Sequence, residues 1–90
     1  MPLVGVIAGS KSDEPTLKPT MDLLEEFEIS AEFRVASAHR TPELLRNYVL
    51  SAAGEGIELF IAAAGGSAAL PGAVAALTTL PVIGIPLASS

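Results

Sequence analysis

"IELFIAAAGGSAALPGAVAALTTLPVIGIPL", residues 57–87, carries its last charge at Glu58, and no charge follows through Ser90. The fold follows from whether this stretch is a membrane segment or the end of an α/β domain. A transmembrane helix needs about 20 predominantly apolar residues in a row. Gly65, Gly66, Pro71, Gly72, Pro81, Gly84 and Pro86 cut the stretch into short pieces, and its Ala and Gly residues contribute little transfer energy. A buried core is the better reading. "IELFIAAA" (57–64) reads as a strand ending at Gly65-Gly66, residues 69–78 as a small-residue helix with Pro71 in its first turn, and "PVIGIPL" (81–87) as another strand.

The upstream half repeats this alternation. "LVGVIAG" (3–9) is short, apolar and rich in β-branched residues, as expected of a strand buried on both faces. After the loop "SKSD", Asp13 can cap a helix whose first turn carries Glu14 and Pro15. Leu17, Met21, Leu24 and Phe27 then recur at helical spacing, with Asp22, Glu25 and Glu26 outward. "AEFRVAS" (31–37) alternates more, as expected nearer a sheet edge. Thr41 suits an N-cap and Pro42 the first helical position, and Leu44, Leu45, Tyr48, Val49 and Ala52 continue the pattern until Gly54 and Gly56 stop it. The connections are too long for hairpins. The order β-α-β-α-β-α-β therefore predicts a three-layer α/β/α domain, a parallel sheet of about four strands with right-handed crossovers, filling residues 1–90 as a single unit.

Composition narrows the partners. Half of the 90 residues are hydrophobic, rich for so short a chain, so part of that surface is expected to be buried against partner chains or further sequence. A net charge of -5, with Lys11, Lys18, Arg34, Arg40 and Arg46 scattered, argues against a nucleic-acid partner. The absence of cysteine fits a reducing compartment such as the cytoplasm, and Met1-Pro2 leads into the first strand without the basic region of a signal peptide.

In a parallel sheet all strand carboxyl ends share one rim, where ligands of open α/β sheets bind. That topology gathers "GSKSD" (9–13), "SAHR" (37–40), "GGS" (65–67) and "ASS" (88–90). Each has a plainer reading: His39 as an exposed or capping histidine, "GSKSD" as an ordinary strand-to-helix turn, the Gly pair as a tight turn, Arg40 as a solvated charge. Their convergence on one rim favours a site. Asp13 is the only acid in these loops, a lone His cannot make a His-rich metal centre, and neither a dinucleotide nor a Walker motif is present. What remains is an anion site. Helix N-termini, hydroxyls and Arg40 can hold a phosphate, Asp13 can accept from sugar hydroxyls, and His39 can move a proton near neutral pH.

"GSKSD", "SAHRTP" and "AAGGSAALPGAVAALTTLPVIGIPL" together resemble the catalytic subunit family of phosphoribosylaminoimidazole carboxylase, and in particular its bacterial-type carboxyaminoimidazole ribonucleotide mutases. The similarity runs from Val4 to the C-terminus and corresponds to the N-terminal part of the family's flavodoxin-like (Rossmann-like) fold. It implies a purine-biosynthetic isomerase that uses no metal, cofactor or ATP and assembles as a homo-octamer. A carboxylate moves from the exocyclic nitrogen to the imidazole ring carbon of the ribonucleotide, with His39 as acid and then base. The resemblance places Arg40, Ser37 and Ser12 on the ribose phosphate, and Ser10 and Asp13 on the ribose and ring side. It brings the Gly65 and Gly66 amides close to the migrating carboxylate.

Two departures stand out. Many bacterial members carry a His where this chain has Ala69, and members continue past "PLASS" with a segment that completes the site and a helix that packs on neighbouring subunits. The alternatives are a direct aminoimidazole ribonucleotide carboxylase of the same family, or a non-catalytic module that binds sugar phosphates or assembles with a longer subunit. "SAHR" and the "GG-x-A-x-LPG" stretch favour the mutase.

Overall fold

A computed structural model describes residues 3–65 and 69–88. Its strands are β1 (Leu3–Ala8), β2 (Ser30–Val35), β3 (Ile57–Ala64) and β4 (Val82–Pro86), and its helices are α1 (Glu14–Glu26), α2 (Pro42–Ala52) and α3 (Ala69–Ala75). The strands form one parallel sheet in the order β2-β1-β3-β4. The chain thus steps from β1 to one side, returns past it to β3, and continues outward. "AEFRVAS" supplies an edge strand, as its alternation predicts.

The order of the strands places the helices. Two apolar clusters sandwich the sheet. On one face Leu17, Met21 and Leu24 of α1 pack on Val4, Val6 and Ala8 of β1. On the other, Leu45, Val49 and Ala52 of α2 and Leu70 and Val74 of α3 pack on Ile7, Phe60 and Ala62. Right-handed crossovers leave no other arrangement when successive connections run in opposite directions along the sheet. Ile83 and Ile85 lie on the α1 side of β4 by strand alternation, and Ile83 is 52% exposed there.

Several local expectations are corrected. Phe27, read as the last core position of α1, is 67% exposed: it is the C-cap residue, where the chain turns through Glu28 at φ 60 before entering β2. Leu44 also faces solvent, since Leu45 and Val49 set the buried stripe of α2. The third helix stops at Ala75, short of residue 78. The Leu77 amide bonds Val74 O at 2.9 Å, and Thr78 Oγ1 then accepts from the Leu80 amide at 3.0 Å, drawing the backbone out of the helix. Pro19 lies inside α1 at an exposed position, where the missing amide is least costly. Gly56, at φ +97, ends the turn after α2 as a left-handed residue.

The tightest packing surrounds Gly5. A Cβ there would lie 2.9 Å from Tyr48 Oη and 3.0 Å from Phe60 Cδ1. Neither neighbour is free to yield. The Tyr48 hydroxyl donates to Glu32 Oε1 at 2.8 Å, its ring meets that of Phe60 edge-on at 6.1 Å, and the Arg34 guanidinium lies 5.5 Å from its centroid. Gly5→Ala should therefore cost about 1–3 kcal/mol through overpacking, whereas Gly54→Ala, with nothing within 4 Å of the new Cβ, should be nearly neutral; urea unfolding of the two variants reads the difference.

The same cluster predicts an alkaline limit. Burial, then the hydrogen bond to Glu32 and its negative charge, hold the Tyr48 phenol well above its ordinary range, and Arg34 offsets only part of this. The folded chain keeps that proton at a pH where the unfolded chain releases it. Stability contributed by Tyr48 is thus complete below a pH of about 10 and falls as pH rises further. With one tyrosine and no tryptophan in the chain, phenolate absorbance follows this group alone and should appear together with unfolding.

Candidate functional site

The carboxyl ends of the strands meet a shallow cavity of about 130 Å³ where the strand order reverses, between β1 and β3. Gly9 and Asp13 enter it from the β1 loop, Ser37, Ala38 and His39 from the β2 loop, and Ala63, Ala64 and Gly65 from the end of β3. Ala69 and Leu70, at the start of α3, close the remaining side. Open α/β sheets bind ligands at this reversal, because the two adjacent loops turn in opposite directions and leave a crevice.

Four of the residues singled out in the sequence share this lining: His39, Ser37, Asp13 and Gly65. Ser10, Ser12 and Arg40 belong to the same two loops but are not part of it. Gly66 lies outside the described residues. The sequence reading did not single out Leu70 or the alanines at the end of β3, Ala63 and Ala64, which with Gly65 give the cavity an uncharged floor. The signal was present in "IAAAGG", where a strand otherwise built from larger residues ends in alanines. Small side chains at the strand ends leave the volume that the loops enclose.

The β1 loop is a single 3-10 turn, Lys11–Asp13, running into α1. Ser10 begins it in an extended conformation, and its Oγ accepts from the Ser12 amide at 3.3 Å and shares a hydrogen bond with Ser12 Oγ at 2.9 Å. The two hydroxyls are thus organised by each other. Asp13, expected to cap α1, occupies the N-cap position but makes no capping bond. Its backbone is already helical, at φ -83 and ψ -11, because the 3-10 turn precedes it, whereas a capping side chain works from an extended backbone. Asp13 is half-buried and lines the cavity.

The β2 loop is anchored to the sheet by the Ala36 amide, which donates to Ala8 O at 2.9 Å. Ser37 Oγ then accepts from the amides of His39 at 3.2 Å and Arg40 at 3.0 Å. Its oxygen is committed to the turn, while its proton stays available to an acceptor. Thr41 holds the N-cap position of α2 without a capping bond, and Pro42 is at the start of the helix. The Thr41 hydroxyl instead accepts from the Ser37 amide at 2.8 Å. His39 and Arg40 are both exposed.

The chemistry on offer is an imidazole and a carboxylate facing an uncharged floor, with hydroxyls and a guanidinium on the rim. A groove of about 530 Å³ runs elsewhere, between α1 and Phe33 of β2, lined by Glu14, Pro15, Lys18, Met21 and Asp22. Lys18 there is paired with Asp22 at 3.0 Å. That groove lacks the imidazole and the small-residue floor.

Comparison with known proteins agrees with this fold. Residues 3–90 match the family model described as AIR carboxylase. A protein from Pyrococcus abyssi named N5-carboxyaminoimidazole ribonucleotide mutase is 55% identical over 89 residues, which are 99% of this chain and 51% of that protein. One of the same name from Pseudomonas aeruginosa is 57% identical over 88 residues, 98% of this chain and 54% of that protein. The crystal structure of Treponema denticola PurE superposes with a TM-score of 0.87 at 32% identity, covering 99% of this chain and 57% of that one. The chain therefore spans about half the length of the curated relatives it matches. From its strand ends to its sequence, the chain belongs to the AIR carboxylase family.

Proposed function

We propose that the protein carrying this chain is an N5-carboxyaminoimidazole ribonucleotide mutase of purine biosynthesis, working in the cytoplasm as a homo-octamer. The observation that carries the reading is the placement of His39, the chain's only histidine, over a floor of alanines and glycine at the β1/β3 reversal. The names of relatives that match nearly all of this chain point to the same reaction. The surplus of apolar residues and the exposed Ile83 favour assembly with further protein surface.

In this reading His39, protonated, gives its proton to the exocyclic nitrogen as the bond from that nitrogen to the carboxylate carbon breaks. Carbon dioxide is released beside the aminoimidazole. The ring carbon attacks it, and His39, now neutral, takes the proton that leaves the ring carbon. The proton given at the first step stays on the exocyclic nitrogen and the one from the ring carbon replaces it, so the imidazole ends as it began. A cavity of about 130 Å³ is small for a whole ribonucleotide, since ligand pockets commonly run to roughly 300–1,000 Å³. The ring and carbon dioxide would occupy it while the ribose phosphate lies outside along the rim. There Ser12 and Arg40 would hold the phosphate, with the Ser37 proton, and Ser10 and Asp13 would contact the ribose and ring. The backbone amides of Gly65 and Gly66 would approach the carboxylate without side-chain obstruction.

His39→Asn should leave the dissociation constant for aminoimidazole ribonucleotide within roughly threefold while turnover falls by about 10²–10⁴. An undiminished rate in that variant, with carboxyaminoimidazole ribonucleotide as substrate, would sink the proposal. Arg40→Met should weaken nucleotide binding by roughly 10–100-fold, the effect of a lost charge-assisted contact, and should flatten the salt dependence of binding. A direct carboxylase differs in needing added bicarbonate with the unmodified ribonucleotide. The chain's coverage of only half of its relatives favours one other outcome, a module that binds the nucleotide without turning it over. Titration calorimetry alongside the turnover assay separates the two.

A further inference from the structure

His39 is exposed, so side-chain packing does not hold it over the cavity floor. Its position depends on the backbone of the turn that carries it. That backbone is bonded to Ser37, whose Oγ accepts from the His39 and Arg40 amides at 3.2 and 3.0 Å. Ser37 is held in turn by Thr41. The Ser37 amide donates to Thr41 Oγ1 at 2.8 Å, the Thr41 amide donates to Ser37 O at 3.1 Å, and the Thr41 hydroxyl can return a bond to Ser37 O at 3.4 Å. Both ends of this ring are fixed, by Ala36 on β1 at 2.9 Å and by the first helical bond of α2, Leu45 N to Thr41 O, at 3.1 Å.

A threonine at a helix N-cap ordinarily accepts from an amide in the first turn, a contribution of about 1 kcal/mol. Thr41 forgoes that bond. A capping Thr41 would leave the Ser37 amide without this acceptor, and between Ser37 and Thr41 only the Thr41 amide bond to Ser37 O would remain. We infer that Thr41 is a positioning residue, whose hydroxyl clamps Ser37 and through it sets the His39 imidazole over the cavity. The inference rests on the proposed function for what the imidazole then does, but the clamp itself can be observed without substrate.

The test uses Thr41→Val, which keeps the shape and removes the hydroxyl, and Thr41→Ser, which restores it. Because the chain has one histidine, its ring carbon and proton resonances come from His39 alone. The expected result is one narrow ring signal in the wild type that shifts when aminoimidazole ribonucleotide is added. In Thr41→Val the signal should move toward the free-histidine position, and the nucleotide should bind at least tenfold more weakly, because the same turn carries Ser37 and Arg40 to the phosphate. Thr41→Ser should behave as wild type, and the amide signals of β1 and β3 should be unchanged in both variants. A His39 signal identical in Thr41→Val and wild type, or a Thr41→Ser variant that matches Thr41→Val, overturns the inference. If the variants move the ring signal but nucleotide moves nothing even in the wild type, the clamp stands and the proposed function fails. Should Thr41→Val not fold, hydrogen exchange decides in the wild-type chain. A Ser37 amide slowed at least about tenfold relative to an open chain supports the clamp, and exchange at the open-chain rate overturns it.

Discussion

Handedness governs this molecule. A parallel strand pair can be joined only by a crossover, and right-twisted strands accept that crossover in one hand. With β1 inside the sheet, the chain must leave it in one direction to reach β2 and come back past it to reach β3. The first crossover therefore puts α1 on one face and the second puts α2 on the other. Two loops turn away from each other above neighbouring strands, and the crevice between them is a consequence of the topology. The side chains have only to furnish it.

What furnishes it is costly to the local structure, and the cost is visible. Asp13 and Thr41 both stand at N-cap positions, and neither side chain caps its helix. One carboxylate is free to face the cavity, and one hydroxyl is diverted to Ser37. The sheet compensates by burying Val6, Ile7 and Phe60 almost completely. A rigid, well-packed sheet under loops that depart from the rules of local stability is the expected division of labour between scaffold and site.

The sequence made the scaffold legible because hydrophobic period and glycine–proline punctuation act within a few residues. "IELFIAAA" is a strand to the residue, and the edge position of β2 follows from its alternation. The convergence of His39, Ser37, Asp13 and Gly65 was legible too, since it needs only parallel strands in register. Contacts decided by competition between partners were not. Nothing in "SAHRTP" says that Thr41 prefers the Ser37 amide to those of its own helix, because both bonds are local and comparable in strength. Phe27 and Leu44 fit a helical spacing that tertiary packing overrode, and Ser10 and Ser12, in the β1 loop, bond to each other and are not among the cavity's lining residues.

Ala69 shows why the floor matters as much as the groups above it. It lines the cavity beside Leu70 and brings no titratable group to it. Asp13 and His39 are then the titratable side chains among the described lining residues. A carboxylate that accepts a hydrogen bond from the substrate cannot readily serve as the proton donor to its nitrogen. In a carboxylate shift within this cavity, the proton given to the exocyclic nitrogen and the proton lost from the ring carbon both fall to His39 or to solvent. A shuttle through solvent would need the cavity open to water at the ring carbon, and an open cavity lets carbon dioxide diffuse away before the ring carbon attacks it. For the proposed reaction the more economical course is a single imidazole that keeps its place between the two steps, and a turn bonded as Ser37–Thr41 is would serve that need.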